Sequence, residues 1–196
     1  MKLRVLSALF PTVLAICAAP VQAQSTFVYA DTSEPSTIDP AKANANWEFT
    51  ITRNVFDRLV NFDLDNPAVL EPALATEWSQ DGTTWTFRLR EGVTFHDGTP
   101  FDSADVKASL DRLRELGRGQ SYLVSGISEV AAPDPATVVI TTEAPNVYLA
   151  GNLARIEIAS DEDIANHDEA WFGENANGTG PYKFVAWTRG TQIELA

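Results

Sequence analysis

Leu74-Ala75-Thr76-Glu77-Trp78, then Asp81-Gly82, then Trp85-Thr86-Phe87-Arg88-Leu89-Arg90 is the stretch that decides the fold of this chain. Trp85, Phe87 and Leu89 alternate with Thr84, Thr86, Arg88 and Arg90, which is the period of a strand with one buried and one wet face. Asp-Gly is a strong hairpin signal, so strands over 73–79 and 83–90 are expected to pair antiparallel. Val93-Thr94-Phe95 continues the β character, and His96-Asp97-Gly98-Thr99-Pro100 turns the chain sharply.

Downstream of this hairpin, Asp102 or Ser103 is placed to cap a helix. Val106, Leu110 and Leu113 line one face of that helix, and Gly117 stops it. Strands are expected near Ile127–Ala131 and Thr137–Thr142, on either side of the Asp134-Pro135 turn. A short helix should begin at Pro145 and reach about Leu153, and Ser160 or Asp161 should cap another. A strand Tyr182–Trp187 then pairs with Gln192–Leu195. Upstream, Thr26–Asp31 (TFVYAD) reads as a strand, and Thr32–Pro40 is too rich in turn formers for regular structure. Trp47–Val60 carries Ile51, Val55 and Leu59 at helical spacing.

The first 23 residues read as a secretory signal peptide. Lys2 and Arg4 precede an apolar run, Val5–Ile16, too short to span a membrane, and Val21-Gln22-Ala23 offers a small-x-small cleavage site. Lipid attachment at Cys17 is the less favoured reading, because Ile16 stands where a lipidation signal wants Gly or Ala. Cleavage after Ala23 removes the single cysteine, so stability must come from a packed core without disulfides. Hydrophobic residues at 44% make such a core feasible. Without Lys2 and Arg4 the 14 basic residues fall to 12 against 27 acidic ones, a net of −15. Such a surface repels phosphate backbones and anionic lipid headgroups, which argues against nucleic acid as a partner and against membrane insertion of the mature chain.

Catalytic and metal chemistry find no positive support. His96 and His167 are the only histidines, without the spacing of a zinc site. The His96 ring is expected to fix its turn by a hydrogen bond. No Gly-x-Ser-x-Gly elbow or phosphate loop occurs. Among 27 acidic residues, candidate glycosidase pairs are too numerous to mean anything. The reading is therefore of a non-enzyme with no catalytic residue, metal or cofactor. The competing classes are a secreted carbohydrate-binding module and an acidic-pair hydrolase.

Several segments, taken in order, resemble family 5 of the bacterial extracellular solute-binding proteins, the peptide- and nickel-binding group. The hairpin block from Leu74 to Gly98 resembles the family's signature, with Trp78, Trp85, Phe87, Leu89, Arg90, Phe95, Asp97 and Gly98 at its characteristic positions. Ile38-Asp39-Pro40, Val55–Val60 and Gly178-Thr179-Gly180-Pro181-Tyr182 match further family segments. The resemblance implies a mixed α/β (α+β) architecture with a periplasmic-binding-protein-like first lobe, incomplete here, and an inserted small β-rich domain. By position, 24–59 and 178–196 would belong to the first lobe and 60–177 to the small accessory domain. The second lobe would be absent, and the chain a fragment or interrupted gene product.

The resemblance further implies the substrate-binding component of an ABC-type importer. That component works in the periplasm, and its partners are a peptide or other small solute and the permease subunits of the inner membrane. The signature residues, with Gly178, Gly180 and Pro181, would be structural. Ligand contact would fall on Ser33, Glu34, Pro35 and Ser36 in the loop after the first strand, with Asn46 and Trp47 at the start of the first helix as further candidates.

Overall fold

A computed structural model describes residues 26–196, and the segment read as a signal peptide, with Cys17 and Ala23, lies outside them. In chain order the elements are α1 (Asn46–Val55), β1 (Val60–Phe62), β2 (Leu70–Pro72), β3 (Ala75–Asp81), β4 (Thr84–Leu89) and α2 (Ser103–Leu116). After a 3-10 turn at Ser121–Val124 come β5 (Ile127–Asp134), β6 (Thr137–Thr142), α3 (Leu149–Leu153), α4 (Asp161–Asn166), α5 (Glu169–Glu174), β7 (Phe184–Thr188) and β8 (Gln192–Leu195). The expected mixture of helix and sheet is observed.

The signature hairpin forms the heart of a four-stranded antiparallel sheet of order β3-β4-β6-β5. Trp78 pairs with Phe87, and Trp85 with Ile140. Asp81 and Thr84 close a two-residue loop in which Gly82 takes φ of +59°, the left-handed region that hairpin turns of this length demand. The alternation predicted for β4 places Trp85, Phe87 and Leu89 in the core, where they meet Val138 and Ile140 of β6 and Val106, Leu110 and Leu113 of α2. Each such side chain contributes roughly 1.5–3 kcal/mol by leaving water. Trp85 keeps its indole N–H satisfied on the Asn146 carbonyl at 3.2 Å.

Helix α2 begins and ends as its sequence predicts. Asp102 caps it by accepting from Ala104 N at 2.6 Å, Asp105 reaches back to Asp102 N at 2.7 Å, and Gly117 leaves it with φ of 58°. The second carboxylate oxygen of Asp105 accepts from Asp161 N at the start of α4. Burial, helped by the neighbouring Asp161 charge, pushes the Asp105 carboxyl up to about 7 against the pull of these N–H groups.

A second, smaller core gathers Val55, Phe56, Ala159 and Phe172, with Ile164, Trp171, Phe184 and Leu195 packed against it. Asp31–Ala196 form one compact unit. The described residues before it, 26–30, are irregular with Phe27, Val28 and Tyr29 exposed.

Three expectations are corrected, and a fourth is met only in part. Thr26–Asp31 form no strand among the described residues, because β propensity becomes a strand only when a neighbour supplies ladder hydrogen bonds. Helix α1 stops at Val55 rather than Val60. Phe56 is extended, with φ −113° and ψ 147°, and the backbone of 57–59 is taken up by Ile158, Leu74 and Ala75. Val93–Phe95, expected to continue the β character, do so only through a single bridge, Thr94 with Pro100. The helix expected from Pro145 starts at Leu149. The short ribbon β1–β2 and helix α5 carry too little periodicity to be read from sequence.

Candidate functional site

The loop 33–36 is fastened at both ends. At one end Ser36 donates from Oγ to Glu48 Oε1 at 2.5 Å and from its backbone N–H at 3.3 Å. Glu48 stands in the first turn of α1, and its other oxygen accepts from Asn44 N and Ala45 N at 2.8 and 3.1 Å. Burial raises the pKa of this carboxyl, but the donors from Asn44, Ser36 and Ala45 outweigh it and hold the group below its ordinary value. Glu48 therefore satisfies free N–H groups before the helix and pins the loop with the same side chain. Its position in the first turn was the available sequence signal.

At the other end, Glu34 Oε1 accepts from Trp187 Nε1 at 3.0 Å and from Gly190 N at 2.8 Å. The Gly190 N–H, the Trp187 indole and the Arg189 charge together hold this exposed carboxyl below its usual range, against a smaller effect of burial. Arg189 lies over the Trp187 ring, 3.4 Å from its centroid, and donates to Glu174 Oε1 at 3.2 Å and to the Pro35 carbonyl at 3.4 Å. An open groove of about 290 Å³ is lined by Glu174, Asn175, Phe184, Trp187 and Arg189. Trp187, Arg189 and Glu174 were not singled out from the sequence, because nothing local ties them to a loop some 150 residues earlier.

The six candidates thus fall on two adjoining pieces. Ser33, Glu34 and Ser36 are exposed and Pro35 is half-buried. Asn46, exposed, and Trp47, half-buried, share the first turn of α1 with Glu48, which links that turn to Ser36. A few residues on, Asp39, wholly buried, accepts from both terminal guanidinium nitrogens of Arg112 at 2.8 and 2.7 Å, and Arg112 also lies on the Phe172 ring. Paired donors of this kind suit a buried carboxylate.

The residues shared with the solute-binding family lie elsewhere. Trp85, Phe87, Leu89 and Phe95 are buried, and Trp78 is partly buried against the same core. Arg90 Nε donates to the Ala73 carbonyl at 3.0 Å. Asp97 accepts from Thr99 N and Oγ1 and from Asn177 Nδ2, and Gly98 takes φ of +95°. The His96 ring, expected to fix its own turn, bonds across the chain to 178–180 instead. Its Nε2 is 2.8 Å from the Gly180 carbonyl, and Gly178 N–H donates to Nδ1 at 3.4 Å, a pattern met by the neutral ring with its proton on Nε2. Gly178 and Gly180 press on the end of α1. A Cβ on Gly178 would lie 2.0 Å from the Val55 carbonyl oxygen, and one on Gly180 would lie 2.7 Å from Val55 C. Pro181 follows at the surface. Among the described residues no three His, Cys, Asp or Glu side chains converge as metal ligands, and no helix is long and apolar enough to cross a membrane.

The mixed helix-and-sheet fold is like that of periplasmic-binding-protein-like structures. A solved structure of AgaA in complex with agropinic acid, from A. tumefaciens R10, superposes with a TM-score of 0.74 at 35% identity, over 83% of this chain and 33% of that one. NikZ from Campylobacter jejuni in complex with Ni(L-His) gives 0.73 at 31% identity, over the same shares. The family model described as bacterial extracellular solute-binding proteins, family 5 Middle, matches residues 69–196, and this chain belongs to that family. Among curated relatives, the probable D,D-dipeptide-binding periplasmic protein DdpA of Escherichia coli K12 is 33% identical over 83% of this chain. The glutathione-binding protein GsiB of Pectobacterium atrosepticum is 35% identical over 89% of it. The chain spans about a third of the length of these relatives, 34% and 35% respectively.

Proposed function

We propose that this chain supplies one wall of the solute-binding cleft of an ABC-type importer's periplasmic substrate-binding component. On this reading it captures peptides or related small solutes for delivery to a membrane permease, without catalysing a reaction. The observation that carries it is the tethered loop. Glu34 is exposed yet held by Trp187 and Gly190 through Oε1, and its other oxygen is available to the amine of a zwitterionic solute. The names of the relatives support the solute class, since DdpA and GsiB are described as binding a D,D-dipeptide and glutathione.

The two cores suit a division into lobe and accessory domain. Residues 59–158 supply the larger core, and Val55, Phe56, Ala159, Phe172 and Phe184 build the smaller. The proposed first lobe comprises 24–59 with 178–196 and the accessory domain 60–177, and the smaller core draws on both, since Ala159 and Phe172 fall within 60–177. Enclosure of a ligand needs a facing wall, since competent pockets cover ~70–90% of a small ligand. The test is a thermal-shift panel of dipeptides, oligopeptides, opines, sugars and nickel chelates on a complete, two-lobed form of the protein. Stabilisation by peptides without turnover is the expected result. Stabilisation by nickel chelates alone removes the peptide assignment, and release of product from any bound peptide or sugar removes the transport reading.

A further inference from the structure

Asn177-Gly178 is the one Asn-Gly pair in the sequence, and the fold builds a seam around it. The half-buried Asn177 amide bridges two carboxylates. Its Nδ2 donates to Asp97 Oδ2 and to Asp163 Oδ2, both at 2.9 Å, and its Oδ1 accepts from Asp97 N at 3.3 Å. These partners fix which end of the amide is which, since carboxylates accept and a backbone N–H donates. Gly178 is engaged as well. Its N–H donates to His96 Nδ1 at 3.4 Å, and its carbonyl accepts from His96 N at 2.9 Å. The pair thus joins the 96–99 turn and α4 to the 177–180 segment, where Gly178 already lies against Val55 with no room for a Cβ.

Asn-Gly is also the pair in which a side-chain amide most readily reacts with its own backbone, because glycine has no Cβ to hinder its nitrogen. The Gly178 nitrogen bonds to Asn177 Cγ and gives up its proton, and the Cγ–Nδ2 bond breaks so that Nδ2 leaves as ammonia with that proton. Water then opens the cyclic imide at either carbonyl, leaving aspartate or isoaspartate. In the folded chain both reacting groups are already committed. Departure of Nδ2 forfeits two bonds to carboxylates, which are of the stronger, charge-assisted kind, and attack by Gly178 N forfeits its contact with His96.

We propose that Asn177 is a deamidation site that the fold keeps closed, and that its conversion to a carboxylate opens the seam between the 96–99 turn and the 177–180 segment. The product sets a third carboxylate against two others where one amide now serves both. Burial works against the charge on Asp97, but the Thr99 N–H, the Thr99 hydroxyl and the Asn177 amide outweigh it and hold this carboxyl below its ordinary value. Two cations face the cluster: His167, when protonated, 3.5 Å from Asp163 Oδ1, and Lys183, on the His96 carbonyl at 3.3 Å. Neither replaces the N–H donors that deamidation removes. Isoaspartate adds a second disturbance, lengthening the main chain by a methylene directly before a glycine packed on Val55.

The test follows the chain in water enriched in heavy oxygen at mildly alkaline pH, folded and in guanidinium chloride, with mass spectrometry of the peptide that contains residue 177. Labelled aspartate and isoaspartate should form at least about tenfold more slowly in the folded chain, the effect expected of one forfeited hydrogen bond to a charged group. Equal rates in the two states overturn the claim that the fold closes the site. Asn177→Asp reads the second claim. It should unfold at a lower urea concentration than wild type, and adding Asp163→Ala should recover part of the loss by removing one of the opposed carboxylates. Asn177→Asp as stable as wild type refutes that claim. The rate comparison needs no variant, so it decides the first claim whether or not Asn177→Asp folds.

Discussion

Replacing Gly178 by alanine should damage this fold more than any other single methyl group added at a glycine. The backbone conformation is not the reason, since Gly178 is not among the glycines with positive φ. The added Cβ would sit 2.0 Å from the Val55 carbonyl oxygen, 2.7 Å from its carbon and 2.9 Å from Phe56 Cδ1, where ordinary contact begins at 3.4 Å. The loop must retreat by ~1.4 Å to clear that oxygen, farther than hydrogen bonds of normal length tolerate. Four depend on the present approach: Gly180 N to Val55 O at 2.9 Å, Tyr182 N to Asn54 O at 3.0 Å, His96 N to Gly178 O at 2.9 Å, and His96 Nε2 with Gly180 O at 2.8 Å. At roughly 1 kcal/mol net for each, losing most of them costs ~3–4 kcal/mol. For a chain of this size that lowers the thermal midpoint by ~6–15 °C. The assay is urea and thermal unfolding followed by circular dichroism, with Gly151→Ala as control. Gly151 lies in α3 with nothing within 4 Å of the added carbon, so alanine there should be neutral or gain up to ~1 kcal/mol from helix propensity. A loss below about 1 kcal/mol in Gly178→Ala would refute the claim that close approach to α1 is what requires glycine.

Further predictions rest on other contacts. Burial pushes the Glu157 carboxyl up to about 7, despite the charges of Arg53 and Arg58 and the Thr52 hydroxyl, against an ordinary 4.5. A carboxyl raised on folding favours the folded state at low pH, and that contribution fades as pH climbs from about 4.5 through about 7. Between pH 5 and pH 8.5 wild type should therefore lose about 2–3 kcal/mol that Glu157→Gln does not, read from urea midpoints at each pH. Parallel pH profiles for the two proteins would rule this out. Arg112→Met should cost ~3–5 kcal/mol by leaving Asp39 buried and unpaired, and adding Asp39→Asn should recover part of it; equal stability of single and double variants in urea would contradict the pairing. Glu34→Gln should leave the thermal midpoint nearly unchanged while weakening calorimetric affinity for a zwitterionic peptide about tenfold in a two-lobed form, and unchanged affinity would discard Glu34 as a contact.

Sequence alone sufficed where the signal is local. The alternation of Trp85, Phe87 and Leu89 set which face of β4 is buried, because successive side chains of a strand point to opposite faces. Asp81-Gly82 placed the hairpin turn, since only glycine takes φ of +59° without cost, and Asp102 with Gly117 bounded α2 through cap chemistry confined to one helical turn. The loop proposed for ligand contact, by contrast, rests on the family resemblance rather than on a local signal.

Tertiary structure decided everything that depends on distant partners. Helix α1 ends early because 57–59 finds better hydrogen bonds on Leu74, Ala75 and Ile158 than in a continued helix, and no periodicity within 47–60 can register that competition. Thr26–Asp31 has strand propensity, yet no described strand pairs with it. The anchors of Glu34 come from 187–190, those of Ser36 from Glu48, and the need for glycine at 178 from Val55. The buried carboxyl of Glu157 reads in sequence as one more of 27 acidic residues. Propensity, capping and alternation act over a few residues and so are written in the chain, whereas desolvation, close approach and cross-chain hydrogen bonds exist only once segments far apart in sequence are packed together.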